Sequence, residues 1–178
     1  MPNSPLDADP KWRPLDRLTV PPLIRDWLGD PGSLTARLRR HGTFHVRHNR
    51  SLVTVPVPFE REQLHQSGRR IALIREVTLM LCDTPVVEAR SVLPLLSLRW
   101  ANRNLAHMGG RSLGSELYRY PEAHRDQVWV RYGLSPAGRG PCWGRQTRFV
   151  KRGRPLLVAE YFLPALWSLV GEEQVGEQ

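Results

Sequence analysis

The sequence predicts an α+β domain on a largely antiparallel sheet, and three observations lead there. Apolar residues alternate with polar ones, or run nearly unbroken, over 43–55, 71–82, 86–93, 127–132, 142–150 and 155–163. Short turn sequences alone separate two pairs of these segments: Asp83, Thr84, Pro85 in one and Lys151, Arg152, Gly153, Arg154 in the other. That is a hairpin signal, and it makes neighbours antiparallel. Short amphipathic stretches with serine caps fall before and between groups of strands, instead of alternating with them one for one as in a parallel sheet. At 178 residues the chain has the length of one domain with a single sizeable core.

The elements follow in order. Residues 1–20 are rich in Pro and Asp and are expected to form a flexible arm, with the domain over 21–168 and an acidic tail over 169–178. Pro21 and Pro22 open a helix over 23–28, because a first turn has no use for the missing donor of proline. Asp30, Pro31 and Gly32 make a turn, and Ser33 caps a second helix over 34–40. That helix carries Leu34 and Leu38 on one side, arginines on the other, and Gly42 as its stop. Residues 43–55 give one or two strands, ended by Pro56 and Pro58. After the hairpin over 71–93, residues 96–108 read as helical, Gly109 and Gly110 break that helix, and Ser112 caps another over 113–118. A strand over 127–132, a Gly/Pro-rich loop over 133–141 and the final hairpin complete the chain.

Composition narrows the function classes. Forty per cent hydrophobic residues with six Trp argue for a packed globule. The net charge of +9 favours an anionic partner: nucleic acid, a membrane surface or a small multiply charged acid. Nearly all of that charge is arginine, Lys11 and Lys151 being the exceptions, which suits carboxylate recognition. The start lacks the basic and apolar regions of a secretory signal, so a cytoplasmic protein is expected. The most apolar segment, 156–170, is too short for a bilayer and contains Glu160 and Pro164, so no membrane insertion is expected. Cys82 and Cys142 lack metal-ligand spacing and read as free thiols. His45 and His48 point to opposite faces of a strand, so with His41 they make no metal site. Arg37, Arg39, Arg40, Arg69 and Arg70 lack the aromatic interleaving of a nucleic-acid surface, and no nucleic-acid partner is expected. No catalytic triad, P-loop or dinucleotide fingerprint is present.

Two misplaced charges carry most of the functional information. Period-two alternation puts Glu160 on one face with Leu156, Val158 and Phe162, and Arg75 on one face with Ile71, Leu73, Val77 and Leu79. An ion on a buried face costs several kcal/mol unless it is paired, so each demands a partner. Either the two neutralise each other as a structural pair, or they frame a pocket for an anionic small molecule. The helix starts at Leu34 and Leu113 would add free backbone N–H groups beside Arg75.

At these residues the chain resembles the chorismate lyase family. The matching pieces, in the family's order, are Leu73, Ile74, Arg75, Glu76 with Leu81, Cys82; Ala89, Arg90, Ser91, Val92, Leu93, Pro94; Ser112, Leu113, Gly114; Trp143, Gly144, Arg145; and 155–164. The resemblance covers about 23–166 and is strongest after 71. It implies a six-stranded antiparallel sheet with helices, a monomer, and a buried site closed by two helical flaps that needs neither metal nor organic cofactor. It implies conversion of chorismate to 4-hydroxybenzoate and pyruvate for ubiquinone synthesis. In relatives the arginine matching Arg75 grips the ring carboxylate, the glutamate matching Glu160 faces the oxygen at the opposite end, and backbone at Leu34 and Leu113 contacts the carboxylate. On this reading Glu160 is a general acid toward the departing ether oxygen, and Arg90 is a candidate for the enolpyruvyl carboxylate. The alternative is a non-catalytic effector-binding module of the same fold, because ligand domains of GntR-type regulators are similar to it.

Overall fold

The computed structural model describes residues 11–119 and 122–175. Six strands form one antiparallel sheet in the order β1-β2-β3-β6-β5-β4. They are β1 (Phe44–Thr54), β2 (Ala72–Leu81), β3 (Thr84–Pro94), β4 (His124–Leu134), β5 (Pro141–Lys151) and β6 (Arg154–Phe162). Both hairpin signals are realised. Cys82 and Asp83 take positive φ between β2 and β3, as do Arg152 and Gly153 between β5 and β6. Turns of that hand match the twist of the strands they join.

Helices cover one face: α1 (Pro22–Gly29), α2 (Leu34–Leu38), α4 (Leu113–Leu117) and α5 (Pro164–Val175). The buried cluster beneath α1, α2 and α5 includes Trp27, Leu28, Leu38, Leu81, Phe162 and Leu166. A second cluster joins Leu93, Leu105, Met108, Leu117, Phe149 and Leu156 beneath α4. On the other face α3 (Pro58–Gln63) and Trp12 pack on smaller apolar layers, with Leu64 against Ile74, Val92 and Leu157 and Trp12 against Ala159 and Tyr161. None of the described helices is long and apolar enough to cross a membrane.

Three local expectations are corrected and one element is added. Residues 11–20, expected as a flexible arm, are docked: Arg13 bridges Val130 of β4, Trp12 packs on Tyr161, and Val20 is buried. Residues 1–10 lie outside the described part. The expected acidic tail is helical as far as Val175, because Leu166 and Val170 anchor α5 in the main core. The helix expected over 96–108 is two 3-10 segments, Leu95–Leu98 and Trp100–Ala106. Helix α3 was not expected; Glu60 turns back to accept from the Val57 N–H at 3.1 Å and so fixes its first turn.

Candidate active site

Strand register assembles the site. Arg75, Ser91 and Val158 lie in one row across β2, β3 and β6, and Val77, Ala89, Glu160 and Arg145 lie in the next across β2, β3, β6 and β5. Arg75 and Glu160 therefore share the helix-covered face, two strands and one row apart. Two strand spacings are about 10 Å. The strand between them contributes Ala89 and Ser91, whose small side chains leave the intervening space unfilled. The resulting cavity is lined by Arg75, Ala89, Ser91, Val158 and Glu160 from these strands.

Arg75 is 4% exposed, yet it meets no carboxylate among the described residues. Its Nη2 donates to the carbonyls of Gly109 at 2.8 Å and Arg111 at 2.7 Å. Burial pulls its pKa below the ordinary arginine value. A guanidinium in this state is under-neutralised, and an anion entering the cavity would repair the deficit.

Glu160 is paired, but with Arg145 and not with Arg75. Arg145 approaches Oε2 with Nε at 2.8 Å and Nη2 at 2.7 Å. The sequence had offered a direct Arg75–Glu160 pair or a pocket framed by both; they frame the pocket, and a third residue supplies the counter-charge. Arg145 is 1% exposed, and its Nη1 donates to the carbonyls of Trp27, Leu28 and Asp30 at the end of α1. One guanidinium thus ties the acid to the segment that leads into α2. Oε1 of Glu160 has no protein donor among the described residues.

Helices α2 and α4 roof the cavity. Ser33 caps α2 by accepting from the Ala36 N–H at 3.3 Å, and Ser112 caps α4 by accepting from the Ser115 N–H at 3.2 Å. These caps make Leu34 and Leu113 the first residues of their helices, where a backbone N–H has no partner within the helix. Both residues line the cavity and both are buried. The hydroxyls of Thr35 and Ser112 meet at 2.7 Å across the roof. Tyr118 at the end of α4 donates to the Pro31 or Gly32 carbonyl, each 2.9 Å away. Gly114 leaves room for the Thr35–Ser112 contact: a Cβ there would stand 3.2 Å from Thr35 Oγ1.

Arg90 does not belong to the cavity, which corrects the expectation that it meets a substrate carboxylate. It pairs directly with Glu76 across β2 and β3, and alternation sends both to the opposite face. There its Nε donates to Glu60 at 2.7 Å and its Nη1 to Glu76 at 2.7 Å.

Of the expected site residues, then, Arg75, Glu160, Leu34 and Leu113 line one cavity and Arg90 does not. Three contributors are not among the site residues expected from the sequence: Arg125, Tyr118 and Arg145, the last standing in one of the matching segments without an assigned role. The alternation that exposed Arg75 also puts Arg145 inward between Trp143 and Thr147. A second arginine, Arg148, lies on the other face of the same strand and blurs that signal. Tyr118 and Arg125 flank the α4–β4 connection and carried no periodic signal.

Fold and cavity together define a class: a small α+β domain with a cavity, lined by a buried arginine, between its sheet and two short helices. The effector domain of PhnF from Mycobacterium smegmatis shares the fold, with a TM-score of 0.59 at 13% identity over 75% of this chain and 90% of that one. A GntR-family transcriptional regulator from Bacillus cereus gives 0.51 at 10% over 68% of this chain and 92% of that one. Within that class, residues 7–172 match the family described as chorismate lyase. A protein of Alcanivorax borkumensis named "Probable chorismate pyruvate-lyase" is 60% identical over 163 residues, covering 92% of this chain and 80% of the relative. One of the same name from Methylococcus capsulatus is 44% identical over 161 residues, covering 82% and 98%. This chain belongs to the chorismate lyase family.

Proposed function

We propose that this protein is a chorismate pyruvate-lyase that releases pyruvate from chorismate and supplies 4-hydroxybenzoate to ubiquinone synthesis. The observation that carries this beyond family membership is Arg75, a buried cation that meets no acid among the described residues and lines one cavity with Glu160. Chorismate is a ring carboxylate with oxygen substituents at its far end, and it fits that polarity.

In the reaction the bond between the ring and the enolpyruvyl oxygen breaks, and the adjacent hydroxyl-bearing carbon loses its hydrogen. The ring becomes aromatic, and the enolpyruvate fragment takes up a proton to become pyruvate. Aromatisation drives this downhill, so orientation is the main demand on the protein. Arg75 holds the ring carboxylate, assisted by the N–H groups of Leu34 and Leu113. Glu160 faces the oxygen-bearing end. Because Arg145 Nε donates to Oε2 and its Nη2 pairs with the same oxygen, Glu160 meets the ring through Oε1, accepting from the ring hydroxyl. That departs from the general-acid role the sequence suggested. Neither metal nor organic cofactor is assigned a step.

One chain supplies the floor, both poles and the roof of the cavity, which supports action as a monomer. We place the protein in the cytoplasm, without membrane insertion or a nucleic-acid partner; Arg37, one of the arginines of a conceivable nucleic-acid footprint, is held by Asp26 and Asp30. The rival reading, a non-catalytic effector-binding module, draws on the likeness to the PhnF effector domain, which at that identity speaks for the fold alone. Mixing purified protein with chorismate separates the two. Stoichiometric 4-hydroxybenzoate and pyruvate are expected, and binding of chorismate without product formation would favour the module.

A further inference from the structure

We propose that Arg125 receives the second carboxylate of the substrate, so that the cavity distinguishes the dianionic substrate from its monoanionic aromatic product. This rests on the lyase reading above.

Among the residues lining the cavity the cations are Arg75 and Arg125. Arg37, Arg90, Arg145 and Arg148 each meet a carboxylate. Arg125 meets none among the described residues. Its Nε and Nη2 lie 3.2 and 2.8 Å from the Tyr118 hydroxyl oxygen, and Nη2 donates to the Gly32 carbonyl at 3.0 Å. Its guanidinium carbon lies 5.4 Å from the centre of the Phe149 ring. The side chain is thus held in place without meeting a carboxylate, as Arg75 is, though Arg125 is only half-buried.

Charge and shape then agree. Arg145 cancels Glu160, so Arg75 and Arg125 leave the cavity two positive charges in excess, matching a dianion. Arg125 stands opposite Phe149, which stands opposite Leu156, one row beyond Arg75 on the side away from Glu160 and at the far edge of the sheet. It therefore approaches from off the Arg75–Glu160 axis. The enolpyruvyl ether leaves the ring at the carbon next to the hydroxyl-bearing one, so its carboxylate also projects off that axis. After elimination that carboxylate departs with pyruvate, and Arg125 contributes nothing further to holding the product.

Calorimetric titration with two inert aromatics tests this: 4-hydroxybenzoate, and 3-(carboxymethoxy)-4-hydroxybenzoate, which carries a second carboxylate off the axis. Arg125→Gln is expected to weaken the dianion, and to raise KM for chorismate, about tenfold or more, while leaving the 4-hydroxybenzoate affinity unchanged. Tyr118→Phe removes the hydroxyl that Arg125 grips without removing charge, and by loosening Arg125 it should weaken the dianion more than 4-hydroxybenzoate, though less than Arg125→Gln does. Arg125→Lys, which keeps the charge, should restore part of the dianion affinity. Equal weakening of both ligands by Arg125→Gln would reduce Arg125 to a fastening of the roof and overturn the proposal, as would no effect on either. Retained 4-hydroxybenzoate binding shows that the variant is folded. Failure of the wild type to convert chorismate would remove the lyase reading alone.

Discussion

The two faces of the sheet use the same residue types to opposite ends. On the outer face Arg90 lies between Glu60 and Glu76, and Glu76 also takes Arg50, so the charges of this cluster answer one another. Burial alone would lower the Arg90 pKa, but the bonds to Glu60 and Glu76 outweigh it and raise the value. On the inner face Arg75 has carbonyls for company, and burial lowers its pKa unopposed. Arg75 and Glu76 are neighbours in sequence, as are Ala89 and Arg90; the pleat alone separates them. Burial therefore does not distinguish a structural arginine from one awaiting a ligand. The supply of acid does.

The largest expected effects cross over between the faces. Arg75→Ala should raise KM for chorismate and weaken 4-hydroxybenzoate by about a hundredfold, the upper range for a lost charge-assisted contact. Thermal stability should change less than in Arg90→Ala, because removal of an unneutralised buried cation offsets the lost donor to the Gly109 and Arg111 carbonyls. Arg90→Ala should do the reverse, costing roughly 2 kcal/mol of stability by stranding Glu60 while leaving KM unaltered. Denaturant titration beside steady-state kinetics reads both quantities. A KM effect from Arg90 would break the distinction between the faces.

Next in size is the acid pole. Glu160→Gln keeps the shape but loses the anionic acceptor and the charge that holds Arg145, and turnover should fall about tenfold to a hundredfold with little change in KM. Arg145→Met should also lower turnover, and unlike Glu160→Gln it should destabilise the fold, because the carbonyls of Trp27, Leu28 and Asp30 lose their shared donor. Equal stability in the two variants would mean that Arg145 serves Glu160 alone.

The same contrast explains what was legible in the sequence. Period-two alternation exposed Arg75 and Glu160 because each sits among apolar residues, where one charge breaks a clear pattern. It also located the hairpins and the caps at Ser33 and Ser112, which depend on neighbours in sequence. Pairing was not legible. Arg145 is 15 positions from Glu160 and meets it only through the β5–β6 register. Arg90 could be placed opposite Glu76 only once β2 and β3 were in register. The docking of Trp12 on Tyr161 likewise depends on tertiary contact, so a Pro-rich segment that looks unstructured is held against the outer face.

The roof offers a smaller effect. Gly114→Ala places a methyl 3.2 Å from Thr35 Oγ1, and the Thr35–Ser112 contact must loosen to admit it. An enclosed aromatic acid should leave slowly and limit turnover. Gly114→Ala should therefore speed 4-hydroxybenzoate release several-fold while weakening its affinity. Stopped-flow displacement measures the release rate, and single-turnover experiments should show chemistry outpacing steady-state turnover in the wild type. A wild-type single-turnover rate equal to kcat would place the limit in chemistry and leave the roof without a kinetic role.

The smallest effect concerns acid. Burial alone would raise the Asp30 pKa, but the Gly32 N–H at 2.7 Å and Arg37 at 2.8 Å outweigh it and lower it from 3.8. A carboxyl with a depressed value in the folded state adds stability that is fully present above 3.8 and is lost as pH falls through the folded value. Asp30 joins α1 to α2, and its own carbonyl accepts from Arg145. Acid should therefore loosen this side of the roof. Fluorescence of Trp27, buried against α2 through Arg37, should report the change. In Asp30→Asn the inner-face signal should lose that acid sensitivity. The variant should also be less stable than the wild type at neutral pH, where the charge otherwise contributes. An unchanged acid profile in Asp30→Asn would assign the loss to other carboxylates, the Glu76 pair of the outer face first among them, because its bonds to Arg50 and Arg90 likewise hold its pKa below the usual value against the opposing effect of burial.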